Sequence, residues 1–130
     1  MKNARLIEIK SNMTPDRGRL TVVEDKPFKI ERAFWIDGML PDTRRGGHAH
    51  KELSQLLICV SGSCKVYAYK PDGSKQFFRL VSPNVGLYVP PLTWLDIFES
   101  ERKTVLLVLA DDVYKENDYI RSTQEFEAYA

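Results

Sequence analysis

Short runs of β-branched and aromatic residues, each closed by a glycine- or proline-bearing turn, fill this chain almost to its end. Nothing before Ser122 carries helical periodicity. A chain built this way can satisfy its backbone only by pairing strands, and many short strands with regular turns make a β-sandwich or barrel. Leu6–Ile9, Leu20–Glu24, Phe28–Ile36, Leu56–Val60, Cys64–Tyr69, Gln76–Leu80, Gly86–Pro91, Thr93–Phe98 and Thr104–Ala110 read as strands. Asn12–Gly18, Ser61–Ser63, Lys70–Ser74 and Ser82–Asn84 read as turns. In Phe28–Ile36 the residues Phe28, Ile30, Arg32, Phe34 and Ile36 share one face. Thr104–Ala110 is the most apolar run and reads as a central core strand. Ser122-Thr123-Gln124-Glu125 has capping-box form ahead of Phe126 and Tyr129 and predicts one short C-terminal helix. The expected fold is all-β, a jelly roll with that helix appended.

With 130 residues and no linker or repeat, residues 1–130 read as a single domain. Nineteen Lys and Arg against 18 Asp and Glu, net +1, argue against nucleic acid or an anionic membrane as the main partner. The charges interrupting Met1–Lys10 leave no signal-peptide core, and no apolar run is long enough to span a bilayer, so a cytoplasmic protein is expected. Cys59 and Cys64 flank the hairpin-type turn Val60–Ser63 and would sit opposite each other, as two small buried thiols.

The chemistry concentrates in Arg44-Arg45-Gly46-Gly47-His48-Ala49-His50, which runs on through Lys51–Gln55 into Leu56–Val60. Two residues apart on a strand, His48 and His50 point the same way. These are the chain's two histidines. Their spacing matches the small-barrel cupin pattern, with Gly62 in its place but Gln55 where a carboxylate ligand would stand. Two imidazoles without a third strong ligand make a poor metal set, so no metal is expected. Imidazole titrates near neutral pH, which suits proton transfer. Arg17, Arg44 and Arg45 lie in glycine-flanked loops and could fork onto phosphate oxygens. Phe34, Trp35, Tyr88 and Trp94 could wall a sugar or base ring, although core packing is the commoner use of each.

The chain resembles the sugar-nucleotide 3,4-ketoisomerases, cupin-fold enzymes acting on dTDP-4-keto-6-deoxyglucose. The resemblance runs nearly end to end. It rests on Asp16-Arg17-Gly18, Pro27–Ile30 with Arg32, Arg45–Lys51, Gln55–Cys59 with Gly62-Ser63, Gly86–Val89, Trp94 and Asp118-Tyr119-Ile120-Arg121. It implies a cofactor-free jelly roll, a homodimer that exchanges N-terminal strands, and a dTDP-linked 4-keto-6-deoxy sugar as substrate. It places such enzymes in the making of 3-amino-3,6-dideoxy sugars for surface polysaccharides. By position it makes His48 the principal base and His50 its partner. Arg17 and Arg45 become candidates for the diphosphate or sugar, beside Phe34, Gln55, Tyr88 and Trp94. Two positions depart from the family: Phe34 replaces a tyrosine, and Leu95 replaces a histidine after the tryptophan. Without that phenol, proton delivery from a single face and a galacto product are expected. A deoxysugar epimerase, a binding protein without turnover and a metal-dependent cupin are the competing readings.

Overall fold

The computed structural model describes residues 3–130. Among them two five-stranded antiparallel sheets pack face to face. The first runs β1 (Arg5–Glu8), β9 (Val85–Val89), β6 (Gln55–Ser61), β11 (Val105–Ala110), β4 (Arg32–Ile36). The second runs β12 (Tyr119–Ile120), β5 (Arg45–His50), β10 (Trp94–Phe98), β7 (Cys64–Tyr69), β8 (Lys75–Leu80). A separate hairpin pairs β2 (Ser11–Thr14) with β3 (Gly18–Thr21). The architecture is the expected jelly roll. Its one α-helix among the described residues, α1 (Thr123–Glu127), is capped by Ser122, whose hydroxyl accepts from the Glu125 N–H at 3.3 Å.

The alternating pattern in the sequence fixes what lies between the sheets. Leu57, Cys59, Leu87, Val89, Leu106 and Val108 of the first sheet meet Cys64, Val66, Leu80, Leu95 and Ile97 of the second. Full burial of such side chains contributes about 1.5–3 kcal/mol each and dominates the stability of a domain this size. β11 is flanked on both edges, as its apolar run implied.

Five expectations change. The turn after β2 is shorter than Asn12–Gly18, because Asn12 and Met13 pair with Leu20 and Arg19, and β3 accordingly ends at Thr21 rather than reaching Glu24. Only Arg32–Ile36 of the Phe28–Ile36 run is strand. Phe28 and Ile30 instead cover the outer face of the first sheet, against Ile9, Leu56, Ile58 and Leu109. The histidine stretch does not run unbroken into Leu56–Val60. β5 belongs to the second sheet and β6 to the first, and the chain crosses between them through residues 51–54. That crossing is held by side-chain carboxylates: Asp118 accepts from the Glu52 and Leu53 N–H groups, and Asp111 from the Ser54 N–H. The Ser61–Ser63 turn likewise crosses between sheets, so β6 and β7 are not ladder partners. Cys59 and Cys64 are free thiols buried in the core, 3.4 Å apart.

Candidate active site

β5 approaches β10 so closely at Gly46 that a Cβ there would lie 2.4 Å from the Leu95 carbonyl oxygen. Gly46 also has φ +92°, a conformation open to glycine, and the ladder shifts register between Leu95 and Asp96. Past this bulge the strand is regular. Ala49 faces outward into a cluster with Trp94, Ile120 and Phe126, which turns His48 and His50 inward.

The two imidazoles meet edge to face, 5.2 Å between centroids. His48 Nδ1 lies 3.2 Å from the Gly46 carbonyl oxygen. As the donor of that bond, Nδ1 carries the proton and Nε2 keeps its lone pair. Burial lowers the His48 pKa, and the nearby Arg121 and Arg45 lower it further against the Gly46 bond. His50 is deeper, at 6% exposure, and neither ring nitrogen has a hydrogen-bond partner. Burial, then the neighbouring His48, push its pKa down to about 4, against an opposing pull from Asp118, whose Oδ2 is 3.6 Å from Nδ1. Both imidazoles are therefore neutral at pH 7 and able to accept a proton. Tyr119, opposite His50 in the β12–β5 ladder, packs on both rings at 5.0 and 4.3 Å.

His48 lines a cavity of about 380 Å³ with Arg32, Phe34, Arg45, Gln55 and Tyr119. The Arg32 guanidinium lies 4.6 Å over the Phe34 ring. A second cavity of about 460 Å³ adjoins the first; Arg32 and Tyr119 line both, and His50 and Asp118 line the second. The donor set does not suit a metal. Gln55 offers a neutral amide where a carboxylate would be needed, and among the described residues no three His, Cys, Asp or Glu side chains are arranged to hold a metal ion.

Of the residues singled out in the sequence, His48, His50, Phe34, Arg45 and Gln55 come together here. Arg17 stands exposed at the turn of the β2–β3 hairpin and lines neither cavity of its own chain. Tyr88 and Trp94 also lie elsewhere, because strand alternation decides their side. Leu87 and Val89 face the core, so Tyr88 faces out, beneath Arg5 and against Phe28. Leu95 and Ile97 face in, so Trp94 faces out onto Phe126. Trp35 is 66% exposed for the same reason, and Arg44 stacks on Phe98. Sequence reasoning did not assign Arg32, Asp118 or Tyr119 to the site. Arg32 was legible, since it shares the alternating face of Phe34 and Ile36. Tyr119 arrives through the β12–β5 ladder and Asp118 through its bonds to the Glu52 and Leu53 N–H groups; the one signal for them in the sequence is the Asp118–Arg121 motif of the family resemblance.

The FdtA family model, described as WxcM-like, C-terminal, matches residues 2–130. The TDP-4-oxo-6-deoxy-alpha-D-glucose-3,4-oxoisomerase of Aneurinibacillus thermoaerophilus is 42% identical, over 87% of this chain and 83% of that protein. Among solved structures, a His-to-Asn variant of the 3,4-ketoisomerase QdtA from Thermoanaerobacterium thermosaccharolyticum, in complex with TDP-4-keto-6-deoxyglucose, superposes with a TM-score of 0.94. It is 39% identical, over 100% of this chain and 95% of that one. The TDP-quinovose 3,4-ketoisomerase WlaRB of Campylobacter jejuni superposes with a TM-score of 0.91 at 34% identity, over 98% and 99% of the two chains.

Two antiparallel sheets closing over a histidine-lined mouth are the frame of the cupins, and within that class these likenesses make the chain an isomerase. Matched from its second residue to its last, it belongs to the FdtA family of 3,4-ketoisomerases. No helix among the described residues is long and apolar enough to cross a membrane.

Proposed function

We propose that this chain converts TDP-4-keto-6-deoxyglucose to a TDP-linked 3-keto-6-deoxyhexose, by proton transfer between C-3 and C-4 through an enediol. The observation that carries the reading is the pair of inward imidazoles in edge contact where the two cavities adjoin. The C-4 ketone acidifies the C-3 hydrogen. His48, with Nδ1 engaged by Gly46, offers Nε2 as the base that removes this proton and returns it to C-4. His50 carries the hydroxyl proton from O-3 to O-4. Arg45 and Arg32, both lining the His48 cavity, offset the charge on the enediolate oxygens.

Phe34 supplies no hydroxyl, and the proton therefore returns on the face it left. In the gluco ring the C-3 and C-4 hydrogens lie on opposite faces, so single-face transfer gives the galacto product. The β2–β3 hairpin stands apart from both sheets, with Met13 and Leu20 exposed at 60% and 68%. A homodimer that exchanges this region would cover those side chains and bring Arg17 to the partner's cavity, onto the diphosphate. The product would feed 3-amino-3,6-dideoxy sugar synthesis for a surface polysaccharide, in the cytoplasm where nucleotide sugars are made.

Proton NMR of the protein with TDP-4-keto-6-deoxyglucose in deuterated water tests the reading. A 3-keto sugar should appear, and His48→Asn should lose at least about 100-fold in rate while still binding TDP. The C-4 coupling constant gives the configuration, and a gluco product overturns the single-face assignment. Binding without turnover or deuterium uptake overturns the isomerase reading.

A further inference from the structure

Asp118 occupies an unusual position for a carboxylate. Its Oδ1 accepts from the Glu52 N–H at 2.9 Å and its Oδ2 from the Leu53 N–H at 3.2 Å. The same Oδ2 lies 3.6 Å from His50 Nδ1, and the Asp118 carbonyl accepts from the Lys51 N–H at 2.9 Å. The carboxylate is thus pinned by the backbone that leaves the histidine strand, and cannot swing away without breaking the crossing to β6. It reaches one nitrogen of a ring that is otherwise without a polar partner.

We infer that Asp118 is a positioning residue for His50: pinned by the Glu52 and Leu53 amides, its carboxylate holds the imidazole as the Nδ1–H tautomer and leaves Nε2 free to take the substrate's hydroxyl proton. An anionic oxygen beside Nδ1 favours a proton there, because a carboxylate accepts and cannot donate. The remaining groups around His50 make no hydrogen bond to its ring nitrogens. His48 meets it edge to face, Tyr119 packs on its ring, and Arg32, from β4, acts at longer range as a cation. Among the described residues, Asp118 is the one carboxylate within 4 Å of a His50 ring nitrogen, and it lies beside Nδ1. A closure of a few tenths of an ångström would convert the contact into a hydrogen bond, and a positive charge arriving on His50 supplies the attraction for it.

For its kinetic consequence the inference rests on the proposed isomerisation, whereas its structural content does not. The first test is therefore made on the wild-type protein without substrate. Long-range ¹H–¹⁵N correlation of ¹⁵N-histidine-labelled protein at pH 7 should show His50 protonated on Nδ1 and bare at Nε2. An Nε2–H tautomer overturns the proposal, whether or not the protein turns over any sugar. Asp118→Asn is the second test. Its amide can donate as well as accept, so the tautomer preference should weaken. With TDP-4-keto-6-deoxyglucose, kcat should fall about 10- to 100-fold and KM change less than about threefold. Asp118→Glu, which keeps the charge, should recover part of the loss. An Asn variant that stays folded with wild-type kcat overturns the proposal. So does one whose kcat falls while the His50 tautomer is unchanged, since Asp118 would then serve only the crossing at residues 51–54. If Asp118→Asn fails to fold, the wild-type tautomer decides alone.

Discussion

Tyr119 stands directly across the β12–β5 ladder from His50, and its ring centroid is 4.3 Å from the imidazole. One aromatic side chain therefore braces both site histidines, since His48 lies 5.0 Å from the same ring. Tyr119→Phe keeps the brace and should leave stability within about 0.5 kcal/mol of wild type. Tyr119→Ala opens a gap beside both rings and should destabilise the fold by about 2 kcal/mol. Denaturant midpoints compare them directly, and equal midpoints for Phe and Ala would remove the bracing role.

Stability should depend on pH through His50. Its folded pKa, about 4, lies below the unfolded value of 6.5. Between these values the unfolded chain binds more protons than the folded one, so stability rises with pH across that interval. It is fully present above pH 6.5, lost progressively as pH falls, and level again below about pH 4. The loss attributable to His50 is about 3 kcal/mol. Carboxylates titrate at the lower end too, so the measurement is the difference between wild type and His50→Gln in denaturant unfolding from pH 4 to 8. Parallel curves for the two proteins would contradict the burial argument.

Gly46 and Gly47 separate two kinds of glycine requirement. Both have positive φ, but a Cβ at 46 would run into the Leu95 backbone whereas nothing lies within 4 Å of one at 47. Gly47→Ala should cost about 1 kcal/mol, from backbone conformation alone. Gly46→Ala adds the clash with β10 and should cost about 3 kcal/mol. Equal losses in the two variants would mean that the β5–β10 approach is looser than the structure has it.

Gln55→Glu introduces an anionic ligand into the cavity that His48 lines. Two imidazoles and a carboxylate form a competent divalent set. The variant should retain about one equivalent of zinc or nickel after dialysis, measured by elemental analysis, and more than wild type under the same treatment. Equal metal content in the two proteins would refute this.

Strand alternation makes much of the site legible in the sequence. It puts His48 and His50 on one face, and it puts Arg32 on the face of Phe34. The same rule, applied to Leu87 and Val89 or to Leu95 and Ile97, sends Tyr88 and Trp94 away from the cavity. At those two positions aromatic character is the wrong guide and parity the right one. The crossing at residues 51–54 is hidden because Lys51–Gln55 reads as continuous with the strand. What breaks it is a carboxylate from Asp118, far along the chain. Tyr119 joins the site through the two-residue strand β12, too short to register as a periodic pattern, and Asp118 through the turn just before it.

The sheets do more than support the cavity, because each contributes one of its walls. His48 and Arg45 come from the second sheet, Phe34, Gln55 and Val108 from the first, and Leu57 and Leu95 are at once core residues and lining. The aperture of the cavity is set by how far the sheets stand apart, and that gap is set by the volume of the core between them. A larger or smaller Leu57, Leu95 or Val108 would resize the pocket and retune stability in the same stroke. Substrate range in this fold is for that reason tied to the packing of its interior, and changing one without the other requires compensating volume elsewhere in the core.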